Sequence, residues 1–144
     1  MFNFVPYKLK QGILLSELGI VIPWRNSKNN FHTLANVSIN EMKSVTFYSW
    51  NNQLIFDDLL VNIQARSDSM NIFTIFPIFE DEHTAMEQFN IVLSSLVQKL
   101  GEPKVLTKES NYFPVARWIY NDIYVGISVH ERFGEYLSFK VQCS

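Results

Sequence analysis

The 144-residue sequence predicts an α+β fold, an antiparallel sheet of about six to eight strands packed by one long helix. Three features predict it. Between Thr84 and Leu100 the apolar residues Met86, Phe89, Val92, Leu93, Leu96, Val97 and Leu100 recur at spacings of three and four, which makes one stripe along a helix face. On both sides of that stretch the apolar residues alternate with period two, the spacing of half-buried strands. Aromatic residues make up 15% of the chain and Phe alone fills 12 positions, a composition suited to large rings packed on a pleated surface.

Taken from the N-terminus, Gly12 to Trp24 reads as a hairpin. Gly19 interrupts its apolar run, Pro23 closes it, and two glycines with β-branched residues in the second half lower its helix propensity. Arg25 to Asn30 is polar and reads as a loop, and Phe31 to Leu34 leaves room for a short helix near 28–36. From Lys43 onward Val45, Phe47 and Ser49 alternate with Thr46, Tyr48 and Trp50, and Asn51 with Asn52 reads as the turn of a hairpin returning through Gln53 to Phe56. Asp57 and Asp58 turn the chain again. Leu59, Val61, Ile63 and Ala65 then oppose Leu60, Asn62, Gln64 and Arg66 across the next strand, and Ser67 to Ser69 turns it.

Asn71 to Phe79 is apolar on both faces, as expected of a central strand covered on both sides, of a surface turned to a partner, or of an edge that pairs in a dimer; monomer and homodimer both stay open. The helix has start and stop signals. Thr84 and Glu87 have capping-box spacing, Glu80, Asp81 and Glu82 lie at the positive end of the helix dipole, and Gly101 followed by Pro103 ends it. Tyr112–Tyr120, Ile123–His130 and Glu135–Cys143 read as a three-strand meander turned at Asn121–Asp122 and Arg132–Gly134, with the oily face receiving the helix. No repeat or linker divides the chain, so residues 1–144 read as a single α+β domain.

Composition narrows the function classes. The net charge of -2 and the absence of clustered Lys and Arg argue against nucleic acid as a partner. Cys143 is the only cysteine, so neither an intrachain disulfide nor a cysteine metal site can be built. Met1 to Lys10 lacks the order of a secretory signal, and no apolar run is long enough to span a bilayer. A cytoplasmic protein without membrane contact is expected.

Catalytic patterns are sparse. His32, His83 and His130 are dispersed without the spacing that would put two metal ligands on one face, so no metal is expected. The glycines are too far apart for a phosphate-cradling loop or a dinucleotide fingerprint, and no Gly-x-Ser-x-Gly elbow is present, so neither a cofactor nor an enzymatic activity is expected. Two acidic clusters remain, Asp57 with Asp58 and Glu80 with Asp81 and Glu82. Turn and cap roles account for them, and a second use is contact with a basic protein surface. Tyr48, Trp50, Tyr124 and Tyr136 fall on the less oily faces of their strands, where rings with polar tips serve as interface anchors.

The succession of an N-terminal hairpin, a run of strands, one helix ending in Leu100-Gly101-Glu102-Pro103 and a meander containing Trp118 resembles the small α+β immunity proteins of bacterial toxin systems. The resemblance covers the chain from Gly12 onward. It implies a non-enzymatic protein-binding module whose partner is a cognate toxin, with a basic surface as one expectation, held by the acids and rings named above. Outside that resemblance, a secretion or folding chaperone and a small ligand-binding or enzymatic domain with a pocket between helix and sheet are the competing expectations.

Overall fold

A computed structural model describes residues 5–24, 31–69, 71–107 and 113–144. The chain opens with the hairpin expected there, β1 (Gly12–Leu15) against β2 (Ile20–Pro23). Gly12 is required where it stands: its φ is +149°, and a Cβ would collide with the Ile22 carbonyl of the partner strand. Four consecutive antiparallel strands follow, β3 (Val37–Met42), β4 (Val45–Ile55), β5 (Leu59–Arg66) and β6 (Ile72–Pro77). Helix α1 (Ala85–Leu100) then leads to a second run, β7 (Val105–Thr107), β8 (Val115–Tyr120), β9 (Ile123–Glu131) and β10 (Glu135–Cys143).

The two runs join through antiparallel pairing of β6 with β10, giving one eight-stranded sheet in the order β3-β4-β5-β6-β10-β9-β8-β7. The apolar strand within Asn71 to Phe79 is therefore central, between β5 and β10, and does not form an edge. Its exposed aromatic is Phe76, while Phe73 and Ile75 are buried.

One face of the sheet carries the core, and three elements share the work of covering it. Over β4 to β6 lie the N-terminal hairpin and a single 3-10 turn at Phe31–Thr33; residues 25–30, expected as a loop, lie outside the described residues. Trp24 packs 5.1 Å from Phe73 and donates its indole N–H to the Leu9 carbonyl at 2.8 Å, so the ring is buried with its polar atom satisfied. Phe31 meets Tyr48 and Trp50 edge-on at 5.2 and 5.4 Å. Over β9 and β10 lies α1, which buries Phe89, Val92 and Leu96. Each such side chain removed from water contributes about 1.5–3 kcal/mol.

Both helix ends are fixed as the sequence expects. The Thr84 hydroxyl accepts from the Glu87 N–H at 3.2 Å, the Glu87 carboxylate accepts from the Thr84 N–H at 2.9 Å, and Gly101 caps the other end at φ 85°. Two core-side rings secure that last turn to β8, Trp118 donating to the Gly101 carbonyl at 2.8 Å and Tyr120 to the Leu100 carbonyl at 3.2 Å. Met86 is an exception on the stripe: the helix turns it outward and leaves it exposed.

Three expectations are corrected. Asn51 and Asn52 do not end a hairpin, because β4 runs on to Ile55 through a bulge at that point, with Asn52 at φ 56° and its N–H held by the Asn62 side chain at 2.8 Å. Tyr48 and Trp50 are not on the outer face; they are 7% and 0% exposed and line the core. Both precede the bulge and sit in regular register, Tyr48 opposite Ala65 and Trp50 opposite Ile63; Val45 and Phe47 make the other face look as apolar, and the bulge then moves the inward positions to 53 and 55. Strands β3 and β7 were not anticipated, as both are edges: β3 alternates Val37 and Ile39 with Ser38 and Asn40 but is exposed from Ser38 onward, and β7 is only three residues long. Tyr112, expected in the first strand of the meander, lies outside the described residues.

The capping box generates a pH-dependent expectation. Hydrogen bonds from the Thr84 backbone and hydroxyl hold the Glu87 carboxyl below its ordinary pKa. A depressed folded-state value means that the unfolded chain takes up the proton first. The stabilisation is thus present above the unfolded carboxyl range and is lost as pH falls through the folded value. Glu87→Ala should lower the melting temperature at neutral pH, and the gap from the parent should close in acid. Thr84→Ala should cost about 1 kcal/mol at neutral pH, read by thermal or urea unfolding.

Candidate functional site

The opposite face of the sheet is covered by no described element. Side chains project from it at alternate positions, and the pairings align Gln64, Thr74, Lys140, Gly126 and Arg117 in one row across five strands. Turn lengths set this alignment. The two-residue turn Asn121–Asp122 pairs Tyr120 with Ile123 and so brings Arg117 opposite Gly126, while the turn Arg132–Gly134 pairs Glu131 with Glu135 and brings Lys140 opposite the same glycine.

Around that glycine the face hollows into an open trough of about 590 Å³. Arg117 and Lys140 stand on either side, roughly 10 Å apart at their Cα atoms, two strand spacings. Along the strands, Ser128 and Ser138 line one end and Tyr124 and Gln142 the other. Ser144 also lines the trough, its hydroxyl donating to the Asp122 carbonyl at 3.2 Å. No Asp or Glu is among the lining residues, and neither Arg117 nor Lys140 has an ion pair with any described residue.

Within the trough the Ser128 hydroxyl and His130 Nε2 lie 2.7 Å apart, the reach of a nucleophile and its base. The other requirements of acyl transfer are not assembled around them. No carboxylate orients the imidazole, which instead stacks on Tyr136 at 5.7 Å. The backbone N–H groups beside Ser128 belong to a strand paired on both sides, so they are not converged on an oxyanion position. Among the described residues no group of three or more His, Cys, Asp and Glu side chains is placed to hold a metal ion. Cys143 is a free thiol whose pKa is pushed up by burial and by the neighbouring Asp122 carboxylate, which disfavours the reactive thiolate.

The residues nominated from sequence fall in separate places. Tyr124 and Tyr136 are on the outer face, Tyr124 in the trough and Tyr136 beside it at 46% exposure. Tyr48 and Trp50 are in the core. Asp57 and Asp58 occupy the β4–β5 turn next to the N-terminal segment and the helix end. Asp57 accepts from the Tyr7 hydroxyl at 3.1 Å, its N–H is held by Ser16 at 3.0 Å, and Asp58 bridges Lys99 at 3.1 Å. The bond to Asp58 raises the Lys99 pKa, while burial and then Asp57 raise that of Tyr7. Glu80, Asp81 and Glu82 are exposed at the helix entrance and have no ion pair with a described residue. Arg117, Lys140 and Gly126 were not nominated, because each alone is an ordinary strand residue.

Compared with protein-family models, curated proteins and solved structures, the chain matches none. No helix among the described residues is long and apolar enough to cross a membrane.

The Ser128–His130 pair generates a chemical expectation. A serine-directed fluorophosphonate should leave the protein unlabelled at concentrations that label a serine hydrolase to completion. Stoichiometric modification of Ser128 in an intact-mass measurement would contradict this.

Proposed function

We propose that this chain is a non-enzymatic protein-binding module of the immunity type, which neutralises a cognate bacterial toxin by occupying its surface. The observation that carries this reading is the disposition of the acids. Asp57, Asp58, Glu80, Asp81 and Glu82 are all exposed, and among the described residues only Asp58 has a cationic partner, Lys99. Unneutralised carboxylates on two separate loops attract a basic surface from a distance and orient it on approach, which raises association rates more than it deepens affinity. A toxin acting on nucleic acid or on an anionic membrane has such a surface, since its own substrate is anionic.

The outer face supports the same reading by its size. Eight strands at about 4.8 Å make a face roughly 35 Å wide, against the roughly 28 Å side of a square patch of ~800 Å², the area per partner of an ordinary stable interface. Tyr136, stacked on His130, adds an amphipathic ring to it.

Calorimetric titration with the product of any toxin gene found beside this one, together with protection of cells expressing that product, tests the proposal. Asp57→Asn with Asp58→Asn removes both charges and keeps a residue type that tolerates the φ of 75° at position 57. This pair, and separately Glu80→Gln with Asp81→Asn and Glu82→Gln, should slow association several-fold at low salt and less at high salt, with the melting temperature within a few degrees of the parent. A complex with unchanged kinetics in both variants would remove the acids from the interface. Absence of both complex and protection would overturn the function.

A further inference from the structure

We propose that the trough on the outer face is a binding site for a small free oxyanion, a phosphomonoester or a carboxylate carried by a metabolite-sized molecule. The inference goes beyond partner binding and does not rest on it: the acids assigned to the partner lie outside the trough, and the trough is proposed for the free protein, where no described element covers the outer face.

The first ground is charge. Arg117 and Lys140 face the same hollow from adjacent strands of β9 with no carboxylate between them and no ion pair elsewhere among the described residues. Two like charges facing one concave surface repel each other, and an anion seated between them relieves that repulsion while gaining charge-assisted hydrogen bonds from both. The guanidinium offers a planar fork to two oxygens, and the ammonium a point charge to the third.

The second ground is shape. The space exists because the residue between the cations is glycine. A Cβ built on Gly126 would sit in ordinary van der Waals contact with the Arg117 stem at 3.9 Å and the Ala116 carbonyl at 4.0 Å, so a side chain would fit there and take up part of the hollow. A hollow of about 590 Å³ lies within the range that takes a whole small ligand.

The third ground is the chemistry at the two ends. Ser128 and Ser138 supply hydroxyls, and His130 engages Ser128 at 2.7 Å. With Nε2 as donor, the Ser128 oxygen accepts from the ring and its own O–H is free to donate to an anion. At the other end Tyr124 and Gln142 give a ring face and an amide, suited to the uncharged body of the molecule that carries the anionic group.

Three probes test the site: glucose 6-phosphate, succinate, and glucose as the uncharged control. Titration of the isotope-labelled protein should shift the amide resonances of residues 117, 126 and 140 saturably with one or both anions in the millimolar range or tighter, and not with glucose. Saturation by glucose 6-phosphate alone assigns a phosphomonoester, and by succinate alone a carboxylate. Arg117→Ala and Lys140→Ala should each weaken binding about tenfold or more. Gly126→Val keeps both charges, places a strand-favouring residue in the hollow and should abolish saturation while the protein still melts cooperatively. Should that variant fail to fold, the two alanine variants decide the matter. No saturable shift with either anion, or binding unchanged in all the folded variants, would overturn the proposal.

Discussion

The pairing of β6 with β10 is the contact on which the rest of this structure depends. Within each four-strand run the strands pair in sequence order. Only the ladder that pairs Ile72, Phe73 and Thr74 with Gln142, Val141 and Lys140 makes them one sheet. On the inner side it brings Phe73 and Val141 together, both fully buried, so that the hairpin and the helix cover a continuous core instead of two small ones. On the outer side it completes the row that carries Thr74, Lys140, Gly126 and Arg117 across the seam.

The two faces then divide the chemistry. The inner face holds nearly all the large rings, and where an indole or phenol is buried there it is mostly satisfied by a backbone carbonyl, as with Trp24, Trp118 and Tyr120. Trp50 departs from this, its indole N–H finding no acceptor among the described residues. The outer face has polar side chains in register and a gap where one of them is absent. Charge is partitioned as well, with exposed acids on the β4–β5 turn and at the helix entrance and uncompensated cations in the trough.

Much of this was legible in the residues. The helix was, from its cap at Thr84 to its stop at Gly101, because periodicity, capping and termination agree there. The meander after it was, since alternation through Ile123–Val129 and Leu137–Val141 leaves one register that buries the apolar set. The β4 bulge was not, because an inserted residue reverses the faces beyond it without altering composition; nor was the placement of Tyr48 and Trp50, because Val45 and Phe47 give the opposite face an equally apolar look. Edge strand β3 was missed because its alternation of Val37 and Ile39 with Ser38 and Asn40 is short and its side chains stay largely exposed. The trough was concealed differently. Arg117, Gly126 and Lys140 are far apart in the chain and unremarkable singly, yet the two turn lengths that align them can be read directly, so the register was available to a count that followed strands instead of motifs.

The place of β10 in the sheet has a consequence for how the chain is made. Synthesis proceeds from the N-terminus, so β3 to β6 emerge well before the strand that will lie beside β6. Until β10 leaves the ribosome, β6 presents an open row of backbone donors and acceptors with Phe73 and Ile75 alongside, a template for any other extended chain. The nascent protein is thus most exposed to misassembly in the interval between its two halves. The charged stretch Glu80–Asp81–Glu82, which follows β6 directly, is placed to keep neighbouring chains apart during that wait.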